Sequence, residues 1–202
     1  MVKKADSRSE DLPKRIRDAA LQLAAEGKWN ALALADIAAA AKLSLADVYA
    51  VYPSKNAILA AVSREVDHRV LAGLEDAAGE SPRDRLFDVL MKRFDALAAH
   101  RGGLVTVARD AARDPLAVLC GAQQLRQSMA LMLEAAGISS SGLAGELRTK
   151  GLTAIYLATM RDWFRDDTAD KARTMAALDG RLRRAERYAG WLNRGRGAKA
   201  AA

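Results

Sequence analysis

The sequence predicts an all-α protein of about nine helices. Alanine-rich runs and a scarcity of β-branched clusters favour helices over strands. Apolar residues recur at three- and four-residue spacing, as they do on one face of an α-helix. Half of the 202 residues are hydrophobic, which is enough for one sizeable core or two small ones.

The predicted helices follow one another with short connections, and the first eleven residues are predicted to be a flexible arm. Pro13, Ser81-Pro82 and Asp114-Pro115 mark helix starts because proline fits the first helical turn. The predicted helices are Leu12–Glu26, one beginning near Ala33, Ser44–Tyr52, Lys55–Ala78, Pro82–Ala99, Leu104–Arg113, Asp114–Ala136, Leu143–Arg165, and a last one that Asp167-Thr168 caps and that ends near Trp191.

Several classes of protein are disfavoured by composition. No apolar run approaches the roughly 18 residues of a membrane span, and the charged N-terminus lacks the apolar core of a signal peptide. Cys120 is the single cysteine, so no intrachain disulfide can form. Together these features predict a cytoplasmic protein.

The residues that build metal centres and catalytic sites are sparse and scattered. The two histidines, His68 and His100, lie far apart along the chain, and no glycine-rich phosphate loop occurs. No nucleophile can be paired with a base. The sequence therefore predicts no metal, no cofactor and no enzymatic activity.

The net charge of +7 is distributed unevenly. Residues 1–55 carry nine Lys and Arg against seven Asp and Glu, whereas residues 179–202 carry seven against two. A basic balance suits a polyanionic partner. The basic end can equally be a solvated helix face followed by a disordered tail at residues 193–202.

Residues 33–55 predict two short helices joined by a tight turn. Ile37, Ala38 and Ala41 give the first helix an apolar face, and the small alanines allow the two helices to approach closely. Ser44 can cap the second helix, whose inner face carries Val48. This pattern is that of a helix-turn-helix, although an ordinary αα-corner in a helical core would look similar.

The stretches RIRDAALQLAAEG, DIAAAA and VYAVYPSKNAIL resemble the N-terminal domain of the TetR family of transcriptional regulators. The resemblance rests on Ile37-Ala38, Tyr49, Tyr52 and Ser54-Lys55 and covers roughly Lys14 to Val62. It implies a DNA-binding domain at residues 1–54 and a ligand-binding and dimerisation domain at 55–192. Two positions depart from the family pattern: Ala33 replaces the usual Ser or Thr N-cap, and Lys42 replaces a turn glycine that matters if φ is positive there.

The resemblance makes the third helix the DNA-reading helix, with Lys55 beside it. None of its outward side chains is Arg, Lys, Asn or Gln, the residues that best match base edges. Asp47 can accept from cytosine, Leu45 or Ala46 can touch a thymine methyl group, and Tyr49 can donate to a phosphate. Modest non-specific binding is expected unless the arm or Lys14, Arg15 and Arg17 contribute. The predicted DNA-binding residues are Ser44, Leu45, Ala46, Asp47, Tyr49, Ala50, Tyr52 and Lys55.

The resemblance also implies a ligand cavity in the second domain and a homodimer formed by the last two long helices. Few polar residues fall on the helix faces concerned, which favours an apolar ligand, although a pocket lining and a core look alike in sequence. The predicted ligand-binding residues are Met91, Phe94, Cys120, Gln123, Met129, Tyr156, Met160 and Trp163.

Two functions remain open at this point. One is a homodimeric repressor that binds a palindromic operator in double-stranded DNA and is released by a small apolar effector. The other is a lipid-binding protein of the ubiquinone-biosynthesis type, which keeps a TetR-like fold without binding DNA. The third helix, which carries no basic residue, and the segment around Trp163-Phe164, which is followed by LDGRLRRAE, motivate the second hypothesis.

Overall fold

A computed structural model describes residues 3–27, 29–74, 79–113 and 115–189. Within these ranges every regular element is helical, which confirms the predicted fold class and the number of about nine helices. None of the described helices combines the length and apolar character needed to cross a membrane. The helices are α1 Lys3–Glu26, α2 Leu34–Ala40, α3 Leu45–Val51, α4 Lys55–Ala72, α5 Pro82–Leu97, α6 Arg101–Ala111, α7 Pro115–Ala135, α8 Gly142–Trp163 and α9 Ala172–Ala189, with short 3₁₀ helices at Trp29–Ala31 and Ala98–His100.

Several helix boundaries differ from the prediction. α1 begins at Lys3 rather than Leu12, which places Pro13 inside the helix rather than at its start. α4 ends at Ala72 rather than Ala78. Lys92 Nζ donates to the carbonyl of the following residue, Gly73, at 2.7 Å. α6 begins at Arg101 rather than Leu104, so Gly102 and Gly103, which precede the predicted helix, lie inside it. Residues 75–78 and the tail from residue 190 lie outside the described part of the chain.

One compact unit consists of residues 1–64 and 99–122. Its core forms where α1 packs against α2, α3 and the start of α4. α6 also lies against α1, and a Cβ added at Gly103 would stand 2.3 Å from the Leu21 carbonyl oxygen. The buried core residues are Ile16, Ala20, Ala24, Trp29, Ile37, Ala38, Val48, Tyr52, Ile58 and Ala61.

The other compact unit consists of residues 65–98 and 123–202. Its centre is an aromatic cluster in which the Phe94 ring stacks on Tyr156 at 5.1 Å and approaches Trp163 at 5.5 Å. Ion pairs connect its helices, including Arg181 to Asp162 at 2.6 Å. The other fully buried side chains are mainly aliphatic: Leu86, Leu90, Met129, Met132, Leu133, Leu152, Leu178 and Leu182.

Candidate nucleic-acid interface

The turn between α2 and α3 is a Schellman motif. The Leu43 amide donates to the Ala38 carbonyl at 2.9 Å, and the Lys42 amide donates to the Ala39 carbonyl at 3.1 Å. This closure requires a left-handed residue after the cap, and Lys42 occupies that position with φ of 55°. A residue other than glycine is strained there by about 1 kcal/mol. Lys42 therefore does occupy a turn position that favours glycine, as suspected from the sequence.

The N-terminus of α3 is closed by reciprocal hydrogen bonds between Ser44 and Asp47. Ser44 Oγ accepts from the Asp47 amide at 3.1 Å, while Asp47 Oδ2 accepts from the Ser44 amide and hydroxyl at 3.2 and 2.6 Å. These bonds lower the pKa of Asp47. α2 lacks such a side-chain cap at Ala33, as predicted, but Asp36 Oδ2 accepts from the Ala33 amide at 2.8 Å and satisfies one free donor.

Three cations from α1 and α4 hold the ends of the motif. Arg15 Nη2 donates to the Ala41 carbonyl at 2.7 Å, where α2 ends. Arg17 Nη1 donates to the Tyr52 hydroxyl at 2.9 Å, where α3 ends. These contacts fix the exit of each helix, so both arginines act as positioning residues.

Lys55 fixes the third boundary of the motif. Its Nζ donates to the Trp29 carbonyl at 2.8 Å and lies 5.2 Å from the centre of the Trp29 ring. Burial lowers the pKa of Lys55, while the carboxylates of Asp110 and Asp36 oppose that effect. Asp110 is itself buried and accepts from the Asn30 amide at 3.0 Å. Lys55 of α4 and Asp110 of α6 thus fix the 3₁₀ helix that precedes α2 through hydrogen bonds.

The structure divides the predicted DNA-binding residues into two groups. One group lies on the exposed side of α3, with Leu45 51% and Tyr49 62% exposed. Tyr52 is buried, and the Lys55 ammonium is bound to backbone carbonyls. The exposed group is Ser44, Leu45, Ala46, Asp47, Tyr49 and Ala50. The role of each residue in DNA binding stays a prediction.

The exposed side of α3 continues into a shallow groove of about 580 Å³. The start of α2 forms one wall, with Ala33, Leu34 and Ala35, and α3 forms the other, with Leu45, Ala46 and Tyr49. We call this surface the α2–α3 groove. All six side chains are apolar apart from the Tyr49 hydroxyl, so the groove suits contact with apolar groups.

Among the predicted ligand-binding residues, Phe94, Tyr156 and Trp163 form the aromatic cluster and Met129 is fully buried. Met91 and Met160 are partly buried, whereas Gln123 is exposed. The side chain of Cys120 lies outside the described part of the chain. The structure therefore brings three of the eight residues into direct ring contact, and their role in ligand binding stays a prediction.

A buried polar network adjoins this aromatic cluster, and the sequence reasoning missed it. Arg93 pairs with Asp67, its Nε donates to the Tyr156 hydroxyl at 3.2 Å, and Ser128 Oγ donates to Asp67 at 2.6 Å. Burial raises the pKa of Tyr156 and the Arg93 charge opposes that rise. A charged residue between Leu90 and Phe94 on an apolar face was the available signal. The helix faces around the aromatic cluster are therefore less apolar than the sequence predicted.

In the ranges that the structure describes, no three His, Cys, Asp or Glu side chains stand close enough together to hold a metal ion. The buried carboxylates of Asp67, Asp110 and Asp166 each bind protein donors instead.

The chain is similar to known proteins in sequence and in structure. Residues 16–62 match the model of the bacterial regulatory proteins of the tetR family. A TetR transcriptional regulator from Nitrosomonas europaea ATCC 19718 is similar in structure at 26% identity and a TM-score of 0.70, covering 86% of this chain and 97% of its own. A TetR transcriptional regulator from Rhodococcus sp. RHA1 shares the fold at 21% identity and a TM-score of 0.55, covering 87% and 97%. No curated protein sequence matches the chain. The predicted resemblance is confirmed.

Proposed function

We propose that this protein, whose N-terminal domain and overall fold are those of TetR-family transcriptional regulators, is a homodimeric repressor that binds duplex DNA through α3. The proposal rests on the way in which the helix-turn-helix fixes α3. Val48 and Tyr52 are buried, both ends of α3 are tied by hydrogen bonds, and the opposite side is left exposed. A helix fixed in this way can enter the major groove, which admits one α-helix.

The test is footprinting on DNA that flanks the protein's own gene, at low and at physiological salt. Ala46→Glu places a negative charge on the exposed side of α3 and should lower affinity at least tenfold, because phosphates repel it. Ala122→Glu makes the same change at an exposed helical alanine of α7 and should bind as the parent does. No footprint at either salt would contradict the proposal.

The proposed dimer contact is the outer side of α8. Leu143, Leu147 and Leu157 are 93%, 73% and 47% exposed and recur at helical spacing, with the small Ala154 also on the exposed side. The exposed surface of these leucines in two subunits equals about four full side chains, so burying it across a two-fold axis supplies about 8 kcal/mol at ~2 kcal/mol each. That is comparable with the roughly 4–15 kcal/mol cost of association.

Light scattering during size-exclusion chromatography tests the dimer. Leu147→Glu should yield monomers, since it places one charge from each subunit in the contact. Ala46→Glu serves as the matched control, because it should lose DNA binding and remain dimeric. A dimer that survives Leu147→Glu would place the contact elsewhere.

The effector is proposed to be a small, mostly apolar molecule bound near the aromatic cluster of Phe94, Tyr156 and Trp163. It would act by binding one conformer of the dimer more tightly than the DNA-binding conformer. Organic extraction of the purified protein, followed by adding the extract back to a protein–DNA complex, tests this. Release of DNA supports the proposal, whereas a stoichiometric lipid with no DNA binding would favour the lipid-binding function.

A further inference from the structure

The α3 helix has few means of recognising bases by hydrogen bonds. Its sequence, LADVYAV, contains no Lys, Arg, Asn or Gln, which are the side chains that form paired bonds with purine edges. Asp47 is the only charged residue of α3, and its Oδ2 is engaged by Ser44. Tyr49 adds one hydroxyl at the edge of the exposed side. Hydrogen bonding therefore gives α3 little capacity to distinguish one base pair from another.

Apolar contact is the chemistry that the same surface offers. Leu45 and Ala46 occupy the first turn of α3, the part of a reading helix that meets base edges. They are joined by Ala33, Leu34 and Ala35 in the α2–α3 groove. Leu45 and Tyr49 keep half or more of their surface exposed. Leaving such side chains in water is unfavourable unless a partner covers them.

Duplex DNA presents one apolar group in the major groove, the C5 methyl group of thymine. We propose that the α2–α3 groove recognises thymine methyl groups, and that these contacts supply most of the sequence specificity of this protein. The inference rests on the proposed function and deepens it by naming the feature that is read. Removing one buried methyl contact should weaken binding about fourfold, and one in each half-site of a dimer's operator about 15-fold.

The test uses duplexes selected by the protein from a random library and resynthesised with deoxyuridine in place of thymidine. This replacement removes the C5 methyl group and leaves every hydrogen-bonding group of the base pair unchanged. Replacing thymidine inside the footprint should lower affinity by the stated factors. The same replacement outside the footprint is the control and should change affinity by less than twofold.

A variant then assigns the effect to the groove. Leu45→Ala should bring the ratio of thymidine to deoxyuridine affinity close to one, while Leu131→Ala, an exposed leucine of α7, should keep the parent ratio. Equal affinity of the parent protein for both duplexes overturns the inference and leaves DNA binding in place. Failure to bind any duplex overturns the proposed function and the inference together.

Discussion

The contact between α6 and α1 makes Gly103 a sensitive position. A methyl group there would lie 2.3 Å from the Leu21 carbonyl oxygen and 3.1 Å from its carbonyl carbon. Both atoms are backbone atoms, which cannot rotate aside, so the helices would have to separate by about 1 Å to restore ordinary contact. Overpacking of this kind costs about 1–3 kcal/mol, against a gain of up to about 1 kcal/mol from helix propensity. Gly103→Ala should therefore destabilise the protein by about 1–2 kcal/mol.

Two further glycine replacements provide matched controls. An added Cβ at Gly102 meets the Ala25 side chain at 3.4 Å, an ordinary contact, and one at Gly121 meets nothing within 4 Å. Both positions are helical, so Gly121→Ala should stabilise by about 0.5–1 kcal/mol and Gly102→Ala should be neutral or mildly stabilising. Urea unfolding at one protein concentration gives the three values. If Gly103→Ala is as stable as Gly102→Ala, the packing argument is wrong.

Further predictions concern the turn, the buried charges and salt. Lys42→Gly should raise the free energy of unfolding by up to about 1 kcal/mol by relieving the positive φ, whereas Lys42→Ala should not. Arg93→Met should cost about 3–5 kcal/mol in urea unfolding by leaving the Asp67 charge buried, and adding Asp67→Leu should recover most of it. Burial raises the pKa of Asp166, but hydrogen bonds from Thr168 and Thr174 outweigh it and lower the pKa. The ionised Asp166 therefore stabilises the fold above the unfolded pKa of about 4, and this stabilisation is lost as the pH falls below that value. The difference in free energy of unfolding between the parent and Asp166→Asn should disappear as the pH falls below about 4. The plot of log affinity for DNA against log salt should have a slope no steeper than about −4, because α3 carries no Lys or Arg to neutralise phosphates. A slope steeper than about −8 would show that cations outside α3 bind phosphates.

Local chemistry allowed the helix-turn-helix to be predicted almost residue by residue. Ser44 caps α3, Lys42 has the suspected positive φ, and Val48 faces inward, because each depends on neighbours within a few positions. The start of α5 at Ser81 and Pro82 was predictable for the same reason.

Contacts between distant parts of the chain were not predictable. Arg15 and Arg17 were named only as residues that could add phosphate contacts, and nothing in the sequence indicated that they bind Ala41 and Tyr52, 26 and 35 positions away. The predicted helix began after Gly103, because the close approach of this glycine to Leu21 depends on how two helices pack. In the same way, the pairing of Arg93 with Asp67 depends on the packing of α4 against α5.

The separation between the inner and outer sides of α3 has an evolutionary consequence. Val48 and Tyr52 stabilise the domain from within, whereas Leu45, Ala46 and Tyr49 contribute little to the core. Exchange of these outward residues should leave the free energy of unfolding nearly unchanged. New operators could then be acquired through a few surface mutations, and a combinatorial library at these three positions is a direct route to regulators with altered targets.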